Sequence, residues 1–207
     1  MVDWDTLLNH EKYQLQLGGA QFTVEDGVFT PDPSISYSTS IIVENFPDVT
    51  GKRIADVGTG TGVLAVLAAL KGAQEVVATD SSDKAIENAR QNVHDNGVED
   101  RVNVIQTNLL DGVEGTFDYI FANLPILDDN VWNKAGVDVW STMEDFLKTT
   151  RSRLNKDGEI YIPWGSFAEN ERGALESLIS KAGFNFRVIE KDVLGFRWYL
   201  YILSHKL

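Results

Sequence analysis

The stretch Asp56-Val-Gly58-Thr-Gly60-Thr-Gly62 constrains the fold more than any other part of the chain. It lies where an apolar run, Arg53 to Gly58, gives way to the helical run Val63 to Lys71. Glycine accepts positive φ and puts no Cβ in the path of a ligand. A strand can therefore turn sharply into a helix whose free N–H groups face that ligand. Strands that feed helices in this way build open α/β sheets, which bind ligands in the crevice at the strands' carboxyl ends.

The rest of the chain repeats the alternation. Strand-like runs are expected at Glu75–Asp80, Arg101–Asn108, Phe117–Asn123 and Glu159–Trp164, with helices at Ser82–Asn96, Val139–Leu154 and Asn170–Ala182. Two further strand-like runs, Phe184–Val193 and Phe196–Leu203, are separated only by Leu194-Gly195. Two residues can join antiparallel strands but not parallel ones. The expected fold is thus a Rossmann-like α/β domain: a seven-stranded sheet, parallel through five strands, with an antiparallel C-terminal hairpin and helices on both faces. Residues 51–207 form this domain. Residues 1–50 read as an extension packed on the substrate side, with a helix-like start, a hairpin around Glu25-Asp26-Gly27 and a helix from about Ser38 to Phe46.

Charge narrows the choice of partner. The chain carries 18 basic and 31 acidic residues, a net charge of −13. A polyanion is repelled by such a surface at long range, so naked nucleic acid is disfavoured as a partner. The absence of cysteine excludes disulfides and thiolate chemistry and is compatible with a cytoplasmic protein. His10, His94 and His205 have no ligand spacing, so no metal site is expected. No apolar run reaches the roughly 18–20 residues that cross a bilayer.

The spacing of the glycines bears on which ligand the crevice takes. A nicotinamide fingerprint, GxGxxG, would need glycine where Val63 stands, and no GxxxxGK phosphate loop is present. Asp80 closes the next strand and is placed for ribose hydroxyls in either scheme. The unbroken acidic-x-Gly-x-Gly-x-Gly run and the closing hairpin resemble class I S-adenosylmethionine-dependent methyltransferases. That resemblance implies roles residue by residue. Asp80 would hold the ribose, Asp56, Gly58 and Gly60 would fix the methionine end beside Gly62, and Asn108 would lie against adenine.

A second likeness lies in Asn123-Leu124-Pro125-Ile126, which is similar to the Asn-Pro-Pro-Tyr motif of enzymes that methylate amide or exocyclic amine nitrogens. Such nitrogens are poor nucleophiles because their lone pairs are delocalised. Asn123 and a carbonyl near Leu124 would accept their N–H bonds, with Pro125 fixing the turn, so that catalysis is mainly alignment. Ile126 departs from the aromatic usual in the family and puts the acceptor's planarity in question. Upstream, Gly27-Val-Phe29-Thr-Pro31 and Ser36 to Ile42 look like the segment preceding the domain in the small-domain methyltransferases, which include ribosomal RNA guanine and release-factor glutamine methyltransferases. Phe29 and Trp164 are then expected on the acceptor side. Trp132 and Trp140 are further candidates there, although the helical register of Trp140 favours packing. Lys148, Arg151, Arg153 and Lys156 read as a solvated helix face.

The chain is therefore expected to be an S-adenosylmethionine-dependent N-methyltransferase acting on protein or structured RNA. A small-molecule methyltransferase and a binding subunit without turnover are the alternatives.

Overall fold

The computed structural model describes residues 4–125 and 138–206. After a short 3-10 turn at Trp4–Leu7 come β1 (Tyr13–Leu17), β2 (Ala20–Val24) and α1 (Ser38–Glu44). The alternating part follows as β3 (Arg53–Val57), α2 (Val63–Leu70), β4 (Glu75–Asp80), α3 (Asp83–Asp95), β5 (Val102–Gln106) and β6 (Phe117–Ala122). It ends with α4 (Val139–Arg153), β7 (Leu154–Gly165), a 3-10 turn at Ser166–Ala168, α5 (Glu169–Lys181), β8 (Phe184–Val193) and β9 (Phe196–His205).

Seven strands form one sheet in the order β5-β4-β3-β6-β7-β9-β8. The first five are parallel, while β9 runs antiparallel to both β7 and β8. Chain order reverses beside β3: β4 lies on one flank and β6 on the other. That reversal opens a crevice at the carboxyl ends of β3 and β6, because their following segments leave in opposite directions.

Period-two burial assigns the two faces. Ile54, Val76, Ala78, Phe121 and Leu200 join one core with α1 and α2. Ala55, Val57, Val77, Ile120 and Tyr201 join the other with α4 and α5. Helix α2 is apolar all round and buried from Val63 to Ala69, as a helix enclosed by neighbours must be. No helix among the described residues is long and apolar enough to cross a membrane.

The expected N-terminal hairpin sits elsewhere. Its turn is Gly18-Gly19, pairing Leu17 with Ala20, and both glycines have positive φ (61° and 86°), as a two-residue hairpin turn requires. Glu25-Asp26-Gly27 instead forms the turn that follows β2, closed by Val28 N–H on the Glu25 carbonyl at 3.2 Å. Strand β7 begins five residues earlier than expected, because Leu154 pairs with Phe117 before the register shifts and Glu159 pairs with Tyr119.

The hairpin is fastened to the sheet domain by two asparagines, one helical turn apart on α3. Asn92 Oδ1 accepts from Thr23 N–H (2.8 Å), and its Nδ2 donates to the carbonyls of Thr23 and Thr61, both at 2.8 Å. Asn88 Nδ2 donates to the Thr23 carbonyl (2.8 Å), and its Oδ1 accepts from Glu25 N–H (3.1 Å). Both side chains are buried. They supply to β2 the backbone partners that a neighbouring strand would otherwise give.

Replacing Asn92 with alanine strands buried groups on β2 and on the glycine turn together. The expected loss is about 2–4 kcal/mol of unfolding free energy, from about 1–3 kcal/mol for each buried group left unpaired. Urea unfolding of Asn92→Ala beside the exposed control Glu87→Ala measures this, and equal stability of the two would show the clamp to be dispensable.

Candidate functional site

Three loops converge on the crevice beside β3. The first is the glycine turn. Gly62, at φ 81°, caps α2 in the left-handed region, and a Cβ there would stand 3.1 Å from Ala89 Cα on α3. It is a packing residue that lets α2 and α3 meet, and it does not border the cavity. Gly58 and Gly60 do border it. A Cβ on Gly58 would come within 3.0 Å of Leu124 Cδ2, so a side chain there would narrow the passage between the glycine turn and the Asn123 loop.

Two carboxylates hold this turn. Asp56, at 1% exposure, accepts at Oδ2 from the Thr59 hydroxyl (2.6 Å) and from Ala65 N–H (3.1 Å), locking the entry to α2. Burial pushes its pKa up to about 7; the two hydrogen bonds oppose that rise, and the nearby Asp80 charge adds to it. Asp80 accepts from Gly60 N–H at Oδ2 and from Ser82 N–H at Oδ1, both at 3.0 Å. Each oxygen keeps further acceptor capacity, which suits a vicinal diol.

The second loop follows β6. Asn123 is half-buried, and its Nδ2 donates to Thr39 Oγ1 on α1 at 3.1 Å. With Nδ2 so engaged, its carbonyl oxygen can serve as an acceptor. The third wall comes from the segment between β2 and α1, which contributes Phe29 and Ser36, and from Ser38 at the start of α1.

These loops enclose one cavity of about 620 Å³. Asp56, Gly58, Gly60, Asp80 and Asn108 all border it, and so do Asn123, Leu124, Pro125 and Phe29. Ile126 and Trp132 lie outside the described residues. Trp164 corrects an expectation. It is fully buried, follows Ile160 and Ile162 on the face toward α4 and α5, and does not border the cavity. Its Nε1 donates to the Ala168 carbonyl at 3.0 Å. Its ring packs with Ile160 and Ile162 between the sheet and α4 and α5, so Trp164 is a core residue. Trp140 packs on it, with ring centroids 6.3 Å apart. Lys148 ion-pairs with Glu144 (2.9 Å) and Asp145 (3.8 Å) on an exposed helix face.

Phe29 was expected at the cavity, but sequence reasoning missed the other two aromatics that border it, Phe167 and Trp198, whose centroids are 5.4 Å apart at 78°. Gly165 was the available signal, since a Cβ there would fall within 2.1 Å of the Phe167 ring. Thr39 was also missed, although it sits in the Ser-Thr-Ser run already linked to the upstream segment. Asp56, Asp80 and Asp138 are the charged residues of the lining; among the described residues it holds no lysine, arginine or histidine. No group of residues suited to a metal ion occurs among them either.

Comparison with known proteins agrees with this geometry. Residues 19–191 match the family described as Methyltransferase small domain. The ribosomal protein L11 methyltransferase of Carboxydothermus hydrogenoformans is 30% identical over 172 residues, covering 79% of this chain and 50% of that protein. The enzyme of the same name from an Exiguobacterium strain is 40% identical over 178 residues, covering 80% and 52%. The chain thus spans about half the length of these relatives. Among solved structures, the ribosomal protein L11 methylase of Lactobacillus delbrueckii subsp. bulgaricus superimposes with a TM-score of 0.64 at 27% identity, over 81% of this chain and 77% of that one. A T. thermophilus 16S rRNA N2 G1207 methyltransferase, in complex with AdoMet and guanosine, shares the fold with a TM-score of 0.69 at 20% identity, over 95% and 50%.

Asp56 gives the site a pH signature. Its folded pKa of about 7 lies above the ordinary 3.8, so folding favours the protonated carboxyl. That contribution is complete below about pH 4 and is lost as pH rises through 7. Stability should fall by up to about 1.4 kcal/mol per pH unit across this window. Asp56→Asn keeps an acceptor oxygen but cannot ionise, so its denaturation midpoints at pH 5, 6 and 7 should lack that slope. Parallel curves for the two proteins would contradict the assignment.

Proposed function

Because the chain belongs to the methyltransferase small-domain family, we propose that it is an S-adenosylmethionine-dependent N-methyltransferase whose acceptor nitrogen lies in a protein. The observation that carries this reading is the single cavity that joins the Asp80 glycine turn to Asn123-Leu124-Pro125. The residues fit the cofactor. Asp80 receives the ribose hydroxyls, the Gly58–Gly60 backbone lies against the methionine end, Asp56 keeps that turn in shape, and Asn108 lies beside the base. The bound cofactor supplies a methyl carbon activated by a positively charged sulfur.

The chain's own part is alignment. Asn123 Oδ1 and the Leu124 carbonyl accept N–H bonds of the acceptor, and Thr39 holds the Asn123 amide in that orientation. Pro125 sets the turn that presents the Leu124 carbonyl. A nitrogen so held directs its lone pair at the methyl carbon without a base first removing a proton.

Charge favours protein over RNA. A cavity lined by three aspartates and, among the described residues, no cation is a poor seat for a phosphate, and the net charge of −13 attracts a basic partner. The names of the two curated relatives point the same way. The test is methyl transfer from labelled cofactor to separated ribosomal protein, ribosomal RNA and small-molecule fractions. Label in RNA alone overturns the protein acceptor, and no transfer to any fraction, with cofactor still bound, leaves a binding subunit.

Asn123→Ala is expected to cut turnover by about 100-fold, the loss typical of one preorganised polar contact, while cofactor affinity by calorimetry changes little. A folded mutant with full activity would remove Asn123 from the mechanism and leave it a turn residue.

A further inference from the structure

The cavity has a wall that lies outside the family match. Leu7 and Leu8 border it, yet the matched region begins at residue 19. Their position is set by backbone bonds: the Leu7 carbonyl accepts from Thr30 N–H (3.0 Å), and the Leu8 carbonyl accepts from Gly27 N–H (2.9 Å). Below them, His10 Nε2 bonds the Val28 carbonyl at 2.9 Å. The end of the 3-10 turn and the residues after it, 7–10, are therefore tied to residues 27–30.

The same bonds lead from this wall to α3. A Cβ on Gly27 would lie 2.8 Å from Lys84 Nζ, and that amine donates to the Asp26 carbonyl at 3.4 Å. Lys84 is the second residue of α3, just past Ser82, whose N–H binds Asp80. Leu8 thus bonds a turn that meets α3 near its start, the helix that follows the loop carrying Asp80. Val28 and Ala85 border the cavity too. The wall is apolar and shares the cavity with a carboxylate that keeps acceptor capacity for hydroxyls. That pairing suits a sugar held at its edge with an uncharged base or ring face against carbon.

We propose that Leu7 and Leu8 are nucleoside-binding residues, packing against the adenosyl part of the cofactor from a segment outside the matched family domain. The proposal rests on the cofactor reading above. Contact with the adenosyl part is shared by S-adenosylmethionine and S-adenosylhomocysteine, so the wall serves both alike and is blind to the transferred methyl.

The test uses Leu8→Ala, because Leu8 is only half-buried whereas Leu7 is buried and its loss bears on folding. Calorimetric titration of the full chain should show both ligands weakened by roughly 10-fold, from the apolar contact removed. Leu70→Ala, at an exposed position on α2, should bind as the parent does. A second measurement needs no substitution: amide exchange of residues 7–10 should slow when S-adenosylhomocysteine is added. Unchanged affinity for both ligands in folded Leu8→Ala, or unchanged exchange in the parent with ligand bound, overturns the proposal. Failure of the parent chain to bind either ligand instead overturns the cofactor reading beneath it.

Discussion

Asn92 joins three parts of the molecule through one side chain. One buried amide touches β2 through Thr23 and the glycine turn through Thr61, while its own helix starts at the loop that carries Asp80. Asn88, one turn earlier, repeats the grip on β2. A buried amide with its partners satisfied stabilises, and the same amide with them missing costs more than an apolar side chain. The arrangement is therefore close to all-or-none. If the hairpin lifts away, the glycine turn loses a backbone partner as well. The shape of the crevice is thus coupled to the seating of residues that precede the sheet.

A second tie works from the opposite side. Lys191 of β8 donates to Tyr37 and to Glu44, and the Tyr37 hydroxyl donates to Glu44, so α1 is held to the sheet's far edge. Burial pushes the Tyr37 hydroxyl pKa up, with Glu44 adding to the rise and Lys191 opposing it. Since α1 carries Thr39, which holds Asn123, the orientation of that amide depends on a strand near the end of the chain. Exposed ion pairs are weak singly, but this one shares its acceptor with a half-covered phenol and spans 147 residues.

Much of this was legible in the residues. The period-two runs, the glycine turn and the two-residue Leu194-Gly195 link carried the sheet and its antiparallel close, because those signals are local. The wall of the cavity at the glycine turn was legible for the same reason: Asp56, Gly58, Gly60 and Asp80, which border it, lie within one strand–helix–strand unit. The rest of the lining was legible only in part: Phe29 and Asn123 to Pro125 were read from the sequence, but Thr39, Phe167 and Trp198 reach the cavity from three distant elements. Trp164 misled because its position at a strand end was visible while its face was not, and alternation with Ile160 and Ile162 sends it into the core. Asn88 and Asn92 gave no signal, since an amide that substitutes for a strand partner looks the same in sequence as a solvated one. The Gly-Gly hairpin turn was passed over for Glu25-Asp26-Gly27, although only the glycine pair meets the demand for two successive positive φ angles.

The strand order has a bearing on how the chain can be assembled as it is made. Strand β9 lies between β7 and β8. Residues 53–122 and the first half of the sheet can pair among themselves as they emerge from a ribosome. β7 then waits with one row of N–H and C=O groups uncovered, and β8 has no neighbour at all. Both stay open until residues 196–205 arrive and slot between them. A nascent chain stalled before that point would leave one edge of β7 and both edges of β8 unpaired, the kind of surface that recruits chaperones or like strands from other chains.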